Sequence, residues 1–444
     1  MSGALTNLVA FIVAISVLVA VHEFGHYIVG RWCGMKVLRF SIGFGKPIWT
    51  KVAGADRTEY CISAIPLGGY VKFLDEREGP VDAADQGRAF NHRPIPARIV
   101  VLLAGPAFNF LFALVAYWVL SMQGVPTVRP VIGTVVADSY AAAAGLQPDE
   151  LLVAVGDQPV DNWGTAILSI LDEMVATGQV PLVVQDIQGY ERNVTIQVGD
   201  DRTRLTEPGV LLEGLGFGIG GPLAIAEMVE IGAPAERAGF ETGDRIISVN
   251  GESTVTFGDM VVIIRELAGE TVPVSIIRDG RQQTLYVDVE PLETEAGVIG
   301  RIGIGSRYLR SFGPVAAIGE SFSRTTREAA FTVRMLWNMV TRQVSIKNIS
   351  GPISIAQFVG DSARAGFTYV LTILALISIS LGVLNLLPIP MLDGGQIVYQ
   401  SVEWIKGSPV SDRTQLLGQQ VGIFAILLLM SFAFYNDIAR LFGS

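Results

Sequence analysis

Charge is absent from four long stretches of this chain, and that absence limits what it can fold into more than any other feature. Residues 1–21, 99–120, 365–392 and 414–436 contain no Asp, Glu, Lys or Arg. About 20 helical residues cross the roughly 30 Å of bilayer hydrocarbon, and each stretch is long enough. The whole chain is 50% apolar and only 17% charged, against about 25% charged in soluble domains. The pattern predicts an α-helical polytopic membrane protein with four transmembrane helices in contact with the lipid bilayer. A net charge of −10 with no basic stripe excludes a nucleic-acid partner.

The first stretch has no Lys or Arg ahead of it and runs into His22 and Glu23 rather than a small-residue cleavage site, so it reads as a retained span and not a signal peptide. Residues 30–98 carry eleven Lys and Arg, which places that loop in the cytoplasm. The termini and the long segment between the second and third spans then lie on the opposite, exported side. Residues 123–364 hold 18 basic and 30 acidic residues. Cys33 and Cys61 fall in the cytoplasmic loop, where thiols stay reduced, and with His92 they need no chemical role.

The exported segment contains an internal repeat. Placing Ala144-Gly145-Leu146 over Ala238-Gly239-Phe240 aligns Glu150 with Asp244, Leu152 with Ile246, Val153 with Ile247 and Val155 with Val249. The second copy runs from a short helix signal through a β-rich stretch to Asn250-Gly251, a strong hairpin cue. It resembles the PDZ family, whose members bind extended peptides or C-termini by adding a strand to a sheet edge. Gly214-Leu215-Gly216-Phe217 is similar to the carboxylate-binding loop of such domains. Two exported PDZ-like α+β domains are therefore expected, at residues 126–205 and 213–306. They would serve either as peptide binders or as rigid spacers.

The chemistry concentrates in His22-Glu23-Phe24-Gly25-His26. Residues four apart on a helix differ by about 40° in azimuth, so both imidazoles face one way and can share a tetrahedral metal, with Glu23 beside them. Ionisable groups inside a span cost at least about 2.5 to 3.5 kcal/mol each on insertion scales, and a divalent cation would compensate them. A hydrolytic zinc takes three protein ligands and leaves one position for water. Asp393 is the first charged residue after 28 uncharged ones and is the expected third ligand, with a helix N-cap as the other use of such a residue. Pro388 and Pro390 forbid a regular helix just before it. Broken backbone at membrane depth is tolerated inside protein or against a water-filled cavity.

The HExxH sequence in the first span, Asn385-x-x-Pro388-x-Pro390-x-Leu392-Asp393-Gly394-Gly395 in the third, and tandem PDZ-like domains between the second and third together resemble the site-2 protease family of intramembrane zinc metalloproteases. The resemblance covers essentially the whole chain. It implies Zn2+ as cofactor, with His22, His26 and Asp393 as ligands and Glu23 as catalytic acid/base. It also implies single-span membrane proteins as substrates, cut in their transmembrane segments after another protease has removed the exported part: anti-sigma factors in regulated intramembrane proteolysis, and remnant signal peptides. The location implied is the bacterial inner membrane, with the active site toward the cytoplasmic side. The rival reading is a membrane-anchored PDZ scaffold with a structural or inactive metal site. An intact Glu23 and the lack of a fourth protein ligand favour the enzyme.

Several supporting roles follow. Asn385 is a candidate amide for gripping substrate backbone or the oxyanion, or for bonding a neighbouring helix. Strand-like runs at 40–45 and 60–72, broken by Gly and Pro, offer an open edge that would pair with unwound substrate, or else pack as an ordinary hairpin; the resemblance implies a membrane-associated β-loop at this position, and Gly43, Gly68 and Gly69 are candidate substrate-binding positions. Gly105-Pro106-Ala107-Phe108-Asn109 resembles the family's small-residue motif for close helix packing. The expected layout is helix 1 at 1–30, the β-loop region at 31–97, helix 2 at 98–122 and an amphipathic interfacial segment at 311–364. Helix 3 follows at 365–395 and helix 4 at 414–438. Tandem exported domains would also act as a size filter against substrates that have kept a bulky exported part.

Overall fold

A computed structural model describes residues 2–294 and 297–442 of the chain. The chain divides into two compact units. One holds the chain up to Gln123, then Ser311–Trp337 and everything from Ile349 on; the other holds Gly124–Arg310 and Asn338–Asn348.

Among the described residues of the first unit, four helices are long and apolar enough to cross a membrane: α1 (Ser2–Trp32), α2 (Ile95–Gln123), α5 (Phe367–Asn385) and α7 (Asp412–Phe442). Between α2 and α5 lie α3 (Pro314–Val340) and α4 (Pro352–Ala365), and α6 (Asp393–Lys406) joins α5 to α7. The first helix continues well past the uncharged stretch. The histidines and Glu23 sit inside it rather than at its end, and its last turn carries Arg31. The Gly34 left-handed turn follows at φ +73°, where a residue without Cβ is favoured.

Glycines set how closely α1 and α2 approach. A Cβ on Gly25 would lie 2.4 Å from the Ala104 carbonyl oxygen, and one on Gly105 would lie 2.3 Å from His26 Nε2. Pro106 removes the N–H that would close a helical bond to the Leu102 carbonyl. Residue 102 lines the cavity described below.

The third charge-free stretch does not form one helix. α5 stops at Asn385 because Pro388 and Pro390 cannot continue it, and short turns carry the chain to α6 through Leu387 N–H to Leu384 O (3.1 Å) and Leu392 N–H to Ile389 O (2.8 Å). α6 then starts against that turn: a Cβ on Gly394 would come within 2.3 Å of the Leu386 carbonyl, and one on Gly395 within 2.2 Å of that of Ile389. Asp393 is the first residue of α6, and no side chain caps the helix.

Between α1 and α2, β1 (Val37–Ala53) and β2 (Thr58–Phe73) each bend so that four segments lie side by side. Residues 39–42 pair on one side with 59–62 and on the other with 69–72, while residues 47–53 pair with 58–63. Segment 69–73 is thus an edge, and no second strand flanks it among the described residues. Gly43 (φ +92°) and Gly68 (φ +128°) occupy bends that a side chain would strain. The sheet is fastened to α1 by the Tyr27 and Tyr60 hydroxyls, 2.6 Å apart, with Arg31 Nη1 donating to Tyr27 at 2.7 Å.

The second unit contains two four-stranded sheets. In one, Gln158–Pro159, Leu151–Val155, Gln179–Gln185 and Glu191–Gln197 lie in that order; in the other, Glu252–Ser253, Arg245–Val249, Thr271–Arg278 and Arg281–Asp288 do. In each sheet a capped helix is inserted at the corresponding place, between the short second strand and the third strand in chain order. Asn162 caps Trp163–Thr177, and Thr256 caps Phe257–Glu266 in a capping box with Asp259. Each has a buried acid held by an arginine from its own sheet: Glu150 by Arg192 (2.6 Å) and Asp244 by Arg278 (2.6 Å).

Candidate metal centre

Four residues of the first unit converge on the wall of a cavity of about 870 Å³: His22, Glu23, His26 and Asp393. His22 and His26 are successive turns of α1, and their rings meet edge to face with centroids 4.8 Å apart. Asp393 comes from the start of α6. Its Oδ2 lies 3.2 Å from His22 Nε2 and 3.5 Å from His26 Nε2, and the two Nε2 atoms are 3.2 Å apart.

That triangle has the dimensions of a metal site. Tetrahedral zinc with bonds of about 2.0–2.1 Å spaces its donors about 3.3 Å apart. Asp393 Oδ2 is buried and no donor is aligned on it as a hydrogen-bond partner, a costly arrangement for a carboxylate unless a cation takes that place. Two imidazole nitrogens and one carboxylate oxygen form the donor set that borderline divalent metals accept. The residues therefore fit a zinc ion. Asp393 does not act as a helix N-cap, the other use its sequence position allowed; its side chain faces the imidazoles.

Glu23, between the histidines, is buried. The edge segment comes against it at Gly69, so the sheet and α1 meet at this residue. Gly69 makes the approach possible, since a Cβ there would lie 2.7 Å from Ser41 O and 3.2 Å from Glu23 Cγ.

Of the other residues expected from the sequence, Asn385, Gly68 and Gly69 line the same cavity, along with Tyr70 and Phe73 of the edge. Gly43 does not. It sits in the bend behind the edge, its carbonyl accepting from the buried Ser41 hydroxyl at 3.1 Å, so it shapes the sheet rather than the cavity wall.

Sequence reasoning missed one feature that orders this region. Arg98, buried near the start of α2, makes a two-pronged pair with Glu403 of α6 at 2.7 and 3.2 Å. In the sequence both look like ordinary charges beyond a span, and nothing in their spacing relates them.

Membrane-length helices with three converging metal donors, a carboxylic acid beside them and a strand edge along the same cavity define a membrane metallopeptidase. The comparisons agree. The sequence pattern of Peptidase family M50 matches residues 10–429. The chain is 38% identical over 454 residues to the regulator of sigma-E protease RseP of Escherichia coli, covering 99% of this chain and 100% of that one. It is 39% identical over 456 residues to the regulator of sigma E protease of Salmonella typhi, with the same coverage. A Vibrio cholerae protein that carries the name zinc metalloprotease is 39% identical over 455 residues, again covering 99% and 100%. This chain belongs to peptidase family M50.

Proposed function

We propose that this protein is a zinc endopeptidase that hydrolyses peptide bonds within the membrane segments of single-span proteins in the bacterial inner membrane. The observation that carries the proposal is the triangle of His22 Nε2, His26 Nε2 and Asp393 Oδ2 beside the buried Glu23. The zinc named for a relative and the family match support the same reading.

In this reading His22, His26 and Asp393 hold the ion. When bound, zinc supplies a Lewis acid that polarises the scissile carbonyl and lowers the pKa of water. Glu23 takes the proton from the attacking water and returns it to the leaving amine. A substrate helix has its carbonyls tied up in hydrogen bonds and must unwind to react. Segment 69–73 would receive the unwound strand by pairing along its free edge, with Gly68 and Gly69 allowing close backbone approach. The Asn385 amide would grip substrate backbone or the developing oxyanion.

Single-span proteins, including anti-sigma factors, are the proposed substrate class, in keeping with relatives named as regulators of sigma-E; remnant signal peptides are a second candidate class. The tandem modules of the second unit are read as PDZ-like domains, at 126–205 and 213–306. They would exclude substrates that have kept a bulky exported part and would bind a peptide or C-terminus. The proposed orientation puts them and both termini in the periplasm, with the metal site toward the cytoplasmic side.

The test uses purified protein in detergent with a single-span substrate. The parent should cleave it, and Glu23→Gln should retain zinc while losing roughly 10²–10⁴ in rate. Equal cleavage by both would remove Glu23 from the mechanism, and no cleavage by the zinc-loaded parent would reject the enzyme.

A further inference from the structure

Helix α2 meets the two imidazoles with three residues spaced four apart, matching the spacing of the histidines themselves. The Val101 carbonyl accepts from His26 Nδ1 at 2.8 Å. Gly105, one turn on, leaves the space the rings occupy: a Cβ would lie 2.3 Å from His26 Nε2 and 2.7 Å from His22 Cε1. Asn109, fully buried another turn on, puts its side-chain amide 3.1 Å from His22 Nδ1.

These contacts constrain the two rings differently. A backbone carbonyl can only accept, so His26 must carry its proton on Nδ1 and point a bare Nε2 at Asp393. An Asn amide can donate or accept. As placed, Nδ2 faces His22, while Oδ1 is buried without a hydrogen-bond partner. A half-turn of the amide about its terminal torsion exchanges the two atoms, and both orientations fill the same space.

We propose that Asn109 is the positioning residue that makes His22 a metal ligand. With Oδ1 toward the ring, Asn109 accepts the Nδ1 proton and leaves Nε2 bare, the same tautomer that Val101 imposes on His26. With Nδ2 toward the ring, the proton stays on Nε2 and the metal is refused. The backbone on which the amide turns is pinned. The Asn109 carbonyl accepts from the buried Ser378 hydroxyl of α5 at 2.9 Å, and Gly382 lets α5 come close, its virtual Cβ 3.4 Å from Asn109 Cβ. α2 thus supplies the outer partner of both histidines, the arrangement that fixes ligand orientation and basicity in metal sites. The inference rests on the metal assignment made above.

The experiment measures zinc affinity of the full-length protein in detergent by competition with a chelator. It is repeated with cobalt, whose visible absorption reports the ligand field. The variants are Asn109→Leu, which removes donor and acceptor at similar volume, and Asn109→Asp, which can only accept. Expected is a loss of roughly 10–100-fold in affinity for Asn109→Leu, with a changed cobalt spectrum. Asn109→Asp should bind as tightly as the parent or tighter, with the parent spectrum. Leucine binding zinc as well as the parent overturns the proposal. So does aspartate losing affinity, because a side chain that can only accept then fails to replace the amide; this arm decides the matter if the leucine variant does not fold. A parent that holds no zinc rejects the underlying metal assignment instead.

Discussion

His22 Nε2 and Asp393 Oδ2 stand 3.2 Å apart although they belong to different helices, α1 and α6. A site assembled from two separate segments should fail as a unit. His22→Ala and Asp393→Ala should each lower zinc affinity by more than the roughly 10–100-fold typical of losing an outer hydrogen-bond partner. Metal analysis of the purified variants measures this. Undiminished zinc in either would reject that residue as a ligand.

Gly105→Ala should damage the site although it removes no functional group. Its Cβ would lie 2.3 Å from His26 Nε2 with the Ala104–Gly25 contact close behind, so the rings or the helices must shift. Overpacking of this kind costs about 1–3 kcal/mol. Gly319 of α3 has nothing within 4 Å of its virtual Cβ, and Gly319→Ala should be neutral or stabilising by up to about 1 kcal/mol. Melting temperatures in one detergent compare the two; equal shifts would show that the close approach at Gly105 carries no energetic weight.

The Arg98–Glu403 pair should show the signature of a partly buried bridge. Arg98→Met leaves Glu403 without its partner and should cost about 1–3 kcal/mol. The double variant Arg98→Met, Glu403→Met should recover much of that loss, because no charge is then stranded. A double-mutant cycle on thermal unfolding reads the coupling, and strict additivity would mean that the pair contributes nothing.

Removing residues 126–306 should allow cleavage of a full-length single-span substrate that the parent rejects, if the second unit acts as a size filter. Cleavage is followed on a gel, with zinc content as the control for an intact first unit. Continued refusal by a zinc-loaded variant would contradict the filter.

What could be read from the sequence depended on how local each signal was. The histidine pair needs only the helical repeat, and Asp393 stood out because 28 uncharged residues precede it. The break after Asn385 followed from two prolines. The double pairing of residues 39–42 was not readable, because alternation within a strand says nothing about which segments flank it. Gly43 was grouped with Gly68 for that reason: the two bends look alike in the sequence, and only the fold shows that Gly68 lines the cavity and Gly43 does not. Val101 was hidden in a helix whose apolar composition masks its partners, and Asn109 was legible only as the end of a small-residue motif, able to orient a catalytic group or to bond another helix. The one available clue was that 101, 105 and 109 repeat at the interval of 22 and 26.

The edge formed by residues 69–73 comes against Glu23 at Gly69, where a Cβ would lie 3.2 Å from Glu23 Cγ and 2.7 Å from Ser41 O. Position 69 therefore admits no side chain without pushing the strand away from the proton carrier. Tyr70 and Phe73 of the same strand line the cavity, so exchanges there can retune which peptides are accepted while the bare main chain at position 69 keeps the receiving surface beside the acid–base residue.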